Sequence, residues 1–365
     1  MPHSPWVWVA VALVLVVLAL VVLGLGRRRV TTLGRHATSR PHRDAFRQEG
    51  VEPTPRKRFA VVVNPNKVPD TAAAEATIRD VAGSLDWDVD IAHTTETDTG
   101  EAQARAALAS GAAVVGVLGG DGTVRNVAEA LAGTRTPMGL LPAGTGNLLA
   151  RNLDMPIGSL EAAVRTALTG VNRHVDIGRV RLQPTDEGAR TAYVFLVMAG
   201  MGFDAAIMNG ANDGLKAKVG WGAYVVAGLR HLFGERFTVT VTMDGGHSVD
   251  RHARSVLVGN CGRLQAGVNL MPDARIDDGI LDAVVLAPRS LTGWMALSAS
   301  VIRKSEGSSR RLDRFTSTSF EIHPGTAQEV ELDGDPIGRA RFMRVDVVPR
   351  GLIVRMPGRL NERPA

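Results

Sequence analysis

Val114-Val115-Gly116-Val117-Leu118 runs directly into Gly119-Gly120-Asp121-Gly122-Thr123, and Met138-Gly139-Leu140-Leu141 into Pro142-Ala143-Gly144-Thr145-Gly146-Asn147. Each short apolar run reads as a buried parallel strand, since a strand covered on both faces needs no polar alternation. Helical patterns follow from Val124 and Leu148. A strand, a glycine-rich turn and a helix put the turn at the carboxyl edge of an open sheet, where such sheets bind ligands. Glycine lets backbone N–H groups approach phosphate oxygens, and the helix N-terminus favours negative charge. The pair reads as two walls of an ATP site, with Asp121 as the carboxylate able to hold Mg2+ against phosphates. Either loop taken singly is equally compatible with a turn that only shapes the backbone.

The same alternation extends outward. Strand patterns at Phe59–Val63 and Asp88–Ala92 are followed by helical ones at Thr71–Leu85 and Gly100–Ser110, and a helix at Ser159–Leu168 ends at Gly170. Alternation of this kind predicts a parallel sheet with helices on both faces. After His174 the pattern changes to strands separated by turns: Val175–Leu182, Tyr193–Val197, Phe237–Met243, Ser255–Gly259, Leu281–Leu286, Ser317–Ile322, Glu329–Leu332 and Phe342–Val348. Several alternate apolar with polar, as in an antiparallel sandwich with one solvated face. Leu215–Phe233 carries Trp221, Tyr224, Val225, Leu229 and Leu232 at roughly helical spacing, which predicts a helix packed on the sheet, with membrane docking or acyl binding as the alternative. The expected class is α/β: an N-terminal parallel-sheet nucleotide domain, then an antiparallel β-sandwich.

Composition and charge restrict the partners. The 365 residues carry a net charge of +5 and are 45% hydrophobic, enough for two domains and an extension. Between Arg27 and Arg58 ten Lys/Arg face three acids, a local +7, and residues 1–26 carry no Lys, Arg, Asp or Glu. Subtracting that +7 from +5 leaves −2 for residues 59–365. A folded part without basic excess and with few aromatics argues against nucleic acid as a partner. Trp6 to Leu25 is apolar over about 20 residues, or about 30 Å as a helix, with Trp6 and Trp8 at one end and Arg27-Arg28-Arg29 at the other. That pattern predicts an uncleaved single-pass transmembrane helix in the cell membrane, with the domains in the cytoplasm. Residues 27–58 then read as a basic flexible linker, either solvated or drawn to an anionic phospholipid surface. Cys261 is the only cysteine, so no intrachain disulfide is possible. The histidines show no metal-binding spacing.

Val63-Asn64-Pro65, Gly119-Gly120-Asp121-Gly122-Thr123 with Asn126, Pro142-Ala143-Gly144-Thr145-Gly146-Asn147 and Asp333-Gly334-Asp335-Pro336 occur in an order that resembles the diacylglycerol kinase catalytic-domain superfamily, which includes sphingosine and ceramide kinases. The resemblance covers roughly Phe59 to Pro357. It implies an ATP site made by Asn64, Thr95, Gly119, Gly120, Asp121, Gly122, Thr123, Val124, Arg125, Asn126, Gly144, Thr145, Gly146 and Asn147. The change of pattern sets expected domains at 59–172 and 173–348, and the resemblance implies that the final segment, 349–365, returns to the first. Relatives generally read Asp-Gly-Glu at the late motif, with the glutamate as general base. Here Asp335 stands in that place, one methylene shorter, and with Asp121 it forms the expected catalytic pair. In bacterial relatives the acidic turn before Leu281 binds a structural Mg2+, which by position implies Asp278 and the carbonyls of Arg275 and Ile280. Lys67 is either a phosphate contact or a solvated loop lysine.

The activity implied is phosphorylation of a membrane lipid hydroxyl, with diacylglycerol the first candidate. A kinase of a soluble metabolite such as NAD, and a catalytically weak lipid-binding protein, are the alternatives. A homodimer is left open.

Overall fold

A computed structural model of the chain describes residues 56–184, 188–202, 236–244, 246–263, 269–287 and 312–358. All of them belong to one unit, Pro55–Asn212 with Ala227–Ala365. The first half alternates: β1 (Lys57–Val63), α1 (Thr71–Gly83), β2 (Trp87–His93), α2 (Glu101–Ala109), β3 (Val114–Gly119), α3 (Asp121–Leu131), β4 (Met138–Pro142), α4 (Leu148–Asn152) and α5 (Leu160–Thr169). Strands follow: β5 (Val171–Gln183), β6 (Thr191–Phe195), β7 (Met198–Met201), β8 (Phe237–Met243), β9 (His247–Ala253), β10 (Ser255–Gly259), β11 (Leu281–Leu286), β12 (Leu312–Ser317), β13 (Ser319–Pro324), β14 (Gln328–Leu332), β15 (Asp335–Ala340) and β16 (Phe342–Met356). The parallel sheet followed by an antiparallel sandwich is the class that the sequence predicts.

Period-2 side-chain alternation builds the first half. Phe59, Val61 and Val63 join Val114, Leu118 and Leu141 under α1 and α5, whereas Ala60, Val62, Val115, Val117, Met138 and Leu140 face α2 and α3. Asp70 and Ser159 start α1 and α5 by accepting the amides of Ala73 at 2.9 Å and Ala162 at 3.2 Å. The strand order β2-β1-β3-β4 puts both glycine-rich turns, after β3 and β4, side by side at one edge.

This sheet does not end at β4. It continues through β16, β13, β8 and β9, with β5 and β6 attached at β16, while β12-β11-β10-β7-β14-β15 forms a second, antiparallel sheet. Val180, Leu182, Val239, Val241, Phe320, Ile322, Met343 and Val345 of the first pack on Ala199, Met201, Val256, Val258, Val330 and Leu332 of the second. β16 pairs β5 along almost its whole length, β13 through residues 343–346, and β4 at Val354–Met138. Its register shifts between Val348 and Leu352, where Arg350 has φ 54°. The continuous strand expected at Tyr193–Val197 ends with β6 at Phe195; a bend at Leu196-Val197 separates it from β7, which lies in the other sheet.

The single-pass anchor and the membrane localisation inferred from it require correction. No helix among the described residues is long and apolar enough to cross a membrane. The longest, α1, has 13 residues, about 20 Å against a hydrocarbon thickness of about 30 Å. Trp6–Leu25, most of the basic linker and the helix expected at Leu215–Phe233 lie outside the described residues.

Gly116 shows how tightly this sheet is covered. A Cβ there would lie 2.6 Å from Cζ of Phe59, itself fully buried. Gly116→Ala should therefore destabilise the protein by about 1–3 kcal/mol through overpacking, read as a lower urea midpoint. Adding Phe59→Leu should recover part of the loss if the ring is the obstacle.

Candidate active site

The two glycine turns touch through backbone. A Cβ on Gly144 would lie 2.7 Å from Cα of Gly120, so the approach of the turns depends on Gly144 having no side chain. Ala143 N donates to Gly119 O at 3.1 Å, and Asn147 closes the second turn from within. Its Oδ1 accepts Gly144 N at 3.0 Å while its Nδ2 donates to Gly144 O at 2.6 Å. Asn147 is buried and left-handed, φ 47°, a conformation asparagine tolerates better than most residues. Asp121 fastens one turn to the other, its Oδ1 accepting the first helical amide of α4, Leu148 N, at 2.6 Å.

Above this platform the start of α3 is open. Gly120 provides no side-chain cap, and the first helical bond is Val124 N to Gly120 O at 3.0 Å, so the preceding amides stay available to an anion. Lys67 contributes a cation: its Cε is 3.8 Å from where a Gly120 Cβ would be. Asn64 at the end of β1 donates from Nδ2 to Thr123 Oγ1 at 2.9 Å, tying the first strand to α3.

The late motif reaches this platform from the other half of the chain. Asp333, buried and left-handed with φ 51°, accepts the amides of Leu196, Val197 and Met198 at 2.9, 2.8 and 3.0 Å. Gly334, φ 91°, completes the turn and delivers Asp335 over Gly122. A Cβ on Gly122 would collide with Asp335 Oδ2, so the missing side chain admits the carboxylate. Arg125 is the clamp. Its guanidinium donates to Leu332 O at 2.5 Å and lies 3.2 Å from Asp335 Oδ2.

Carboxyls accumulate here, and their protons are held accordingly. Burial, reinforced by Asp333 and Asp335, pushes Asp121 up to about 6 against the opposing amides of Leu148 and Asn147. Asp333 is raised by burial, although its three amides and Arg125 oppose the shift. Glu331 is pushed up to about 7 by burial and by its two acidic neighbours. Among the described residues no group of three or more His, Cys, Asp or Glu side chains is placed to hold a metal. A Mg2+ held by Asp121 would thus take most of its oxygens from phosphates and water, as Mg2+ commonly does.

Other expected residues serve locally. Thr95 is exposed and its hydroxyl accepts Asp98 N at 3.0 Å, closing its own turn, whereas Thr94 is buried. Val124 packs in the core, Thr145 is exposed, and Asn126 donates to Thr99 Oγ1 at 2.5 Å. Gly146 O accepts Arg151 Nε at 2.7 Å. In the acidic turn, Asp278 Oδ1 accepts Ile280 N at 3.1 Å and the Arg275 side chain lies 3.8 Å from Asp277. Burial and the neighbouring Asp278 and Asp273 push Asp282 up to about 6. Sequence reading missed Asp176 on β5, whose buried carboxylate accepts Gly279 N and Arg350 N, both at 2.6 Å, joining the acidic turn to the bend in β16. Nothing in the local pattern around Asp176 signals partners that far along the chain.

Residues 58–180 match the diacylglycerol kinase catalytic domain family, and residues 197–356 match the YegS C-terminal NAD kinase beta sandwich-like domain. A Pseudomonas putida protein named a probable lipid kinase, YegS-like, is 31% identical over 287 residues, 77% of this chain and 90% of that one. A Mycobacterium tuberculosis protein named diacylglycerol kinase is 31% identical over 235 residues, 63% of this chain and 72% of that one. The fold is similar to a crystal structure of a diacylglycerol kinase from Bacillus anthracis, with TM-score 0.64, 23% identity and coverage of 84% of this chain and 98% of that one.

Arg125 joins the halves of the site, so Arg125→Met should cost about 1–3 kcal/mol, the scale of lost hydrogen bonds to a charged group, in urea unfolding. A variant as stable as the parent would mean that the clamp is incidental.

Proposed function

The chain belongs to the lipid kinase family built on the diacylglycerol kinase catalytic domain, and from that membership we propose that it transfers the γ-phosphate of ATP to the hydroxyl of a lipid, diacylglycerol being the first candidate. The observation that carries this reading is the seating of Asp335 over Gly122 beside an open helix N-terminus. Phosphoryl transfer needs phosphates held, charge neutralised and a carboxylate to take the proton of the attacking hydroxyl.

The chain's own residues divide that work. The amides at the start of α3 and the Lys67 ammonium hold phosphate oxygens, and Gly120 and Gly144 keep the floor flat enough for them to approach. Asp121 would hold Mg2+, which when bound would neutralise phosphate charge. Asp335 accepts the hydroxyl proton while Arg125 fixes its carboxylate. The shorter side chain relative to the Asp-Gly-Glu pattern is accommodated because Gly122 lets it come close. Identity of 31% over 90% of a relative named as a lipid kinase supports a lipid acceptor over a soluble metabolite.

The test is incubation of the full chain with ATP, Mg2+ and a panel of dispersed lipids, with NAD as a separate acceptor. A phosphorylated lipid is expected; phosphorylated NAD with no lipid product would reject the reading. On the accepted lipid, Asp335→Asn should lower kcat by about 10²–10⁴-fold with little change in ATP affinity, as expected for loss of a general base. Undiminished single-turnover chemistry would remove Asp335 from the mechanism.

Asp121→Ala should abolish turnover while leaving the glycine turns folded. Gly144→Ala, which forces the two turns apart, should instead raise the KM for ATP.

A further inference from the structure

We propose that Glu331 touches the acceptor, hydrogen-bonding one of its uncharged oxygens beside the hydroxyl that reacts. The inference rests on the lipid-kinase reading and deepens it: the acceptor carries such an oxygen, an ester carbonyl or a second hydroxyl, next to an apolar chain.

The sheet geometry places Glu331. On β14, Val330 and Leu332 enter the sandwich core, so Glu331 between them lies on the opposite face. A register row crosses that face: Val284 on β11 pairs Leu257 on β10, Leu257 pairs Gly200 on β7, and Gly200 pairs Glu331. Leu257 and Val284 pack in one cluster with Leu148, Leu149 and Ala150 of α4, the helix that follows the second glycine turn. The face is therefore turned toward the nucleotide half.

Gly200 makes a notch in the row. A Cβ there would lie 2.7 Å from Glu331 Oε1 and 3.0 Å from Leu257 Cδ2, so the carboxyl lies across the glycine with an apolar side chain at its end. Among the described residues the Glu331 carboxyl has no hydrogen-bond or ion-pair partner. A half-buried carboxyl in that position, between an apolar side chain and acidic neighbours, stays ionised only at a cost.

The charges around it have the same effect. Asp333 in the following turn and Asp335 on β15 are both acidic, while β7 and β10 present Gly200 and Leu257. On α3, Asp121 is acidic and Arg125 is engaged by Asp335 and Leu332 O. Burial foremost, then the two aspartates, push Glu331 up to about 7, so near neutrality much of it is an O–H donor. A donor of this kind binds a carbonyl or hydroxyl oxygen; as a carboxylate it would instead select a cationic amine.

The full chain is assayed with ATP and dispersed dioctanoylglycerol. Glu331→Ala should raise the KM for the lipid about tenfold, with a smaller change in kcat, the scale of one hydrogen bond. Glu331→Gln, which keeps an N–H donor, should restore KM to near the parent value at about pH 6, and its KM should stay level to about pH 8 while that of the parent rises. Gln as poor as Ala, Ala without effect, or preference for a sphingoid amine that Gln abolishes would each overturn the proposal.

Thermal unfolding provides a readout that needs no turnover. Because the folded value lies above the ordinary 4.5, the native state binds more protons than the unfolded state between about 4.5 and 7, so this contribution to stability is present below about pH 4.5 and lost as pH rises through about 7. The Tm of the parent should fall relative to that of Glu331→Gln across that window; parallel curves would overturn the donor state. Absence of any lipid product would reject the kinase reading and the acceptor role together, whereas a working kinase indifferent to both variants would reject only Glu331.

Discussion

The carboxylate of Asp333 is the interaction on which the rest of the structure depends. A buried acid is costly unless its oxygens are satisfied, and three successive amides, Leu196, Val197 and Met198, satisfy them. Those amides lie where the chain leaves the ten-stranded sheet at β6 and enters the six-stranded sheet at β7. Asp333 N in turn donates to Met198 O at 2.9 Å. One residue thus fixes the crossing between the sheets and, through its left-handed turn, the position of Asp335 two residues later. The architecture of the sandwich and the aim of the Asp335 carboxylate are the same constraint.

The clamp at Arg125 has a related logic. It is largely buried yet charged, and its guanidinium is shared between a backbone carbonyl of β14 and Asp335. A planar fork suits two acceptors at once, which a lysine would not reproduce. The glycine floor formed by Gly120, Gly122 and Gly144 is complementary: it removes bulk where the two turns approach each other and the Asp335 carboxylate comes near backbone.

The first half was legible in the sequence because β1, β3 and β4 are buried on both faces and read as unbroken apolar runs, the last two ending at glycine turns, while the edge strand β2 alternates Trp87, Val89 and Ile91 with polar residues. The second half was legible only where one face enters the core. β9, His247–Ala253, is an edge strand with mostly exposed side chains, and β15 contains Pro336 and Gly338, so neither carries an alternating apolar pattern. The break inside the apolar tract at 193–197 is imposed from Asp333, more than a hundred residues away, and no local signal marks it. The site followed the same rule. Turn residues with intrinsic backbone preferences were visible, whereas the engagement of Arg125 with Leu332, the Glu331 notch and the Asp176 junction arise from strand register. Thr95 shows the converse, because its hydroxyl is used by its own turn.

β16 ties the two halves of the chain into one sheet, and this bears on the order of synthesis. The stretch that matches the catalytic domain ends within β5, a 13-residue strand whose length is paired by β16 from residue 171 to residue 183. A ribosome therefore releases the glycine turns and α3 long before the strand that covers β5 and touches β4 exists. Until Met356 has been made, that early half exposes a long unpaired edge, the kind of surface that recruits other chains. Maturation of the first half is accordingly a late event, completed by a strand near the carboxyl end of the chain.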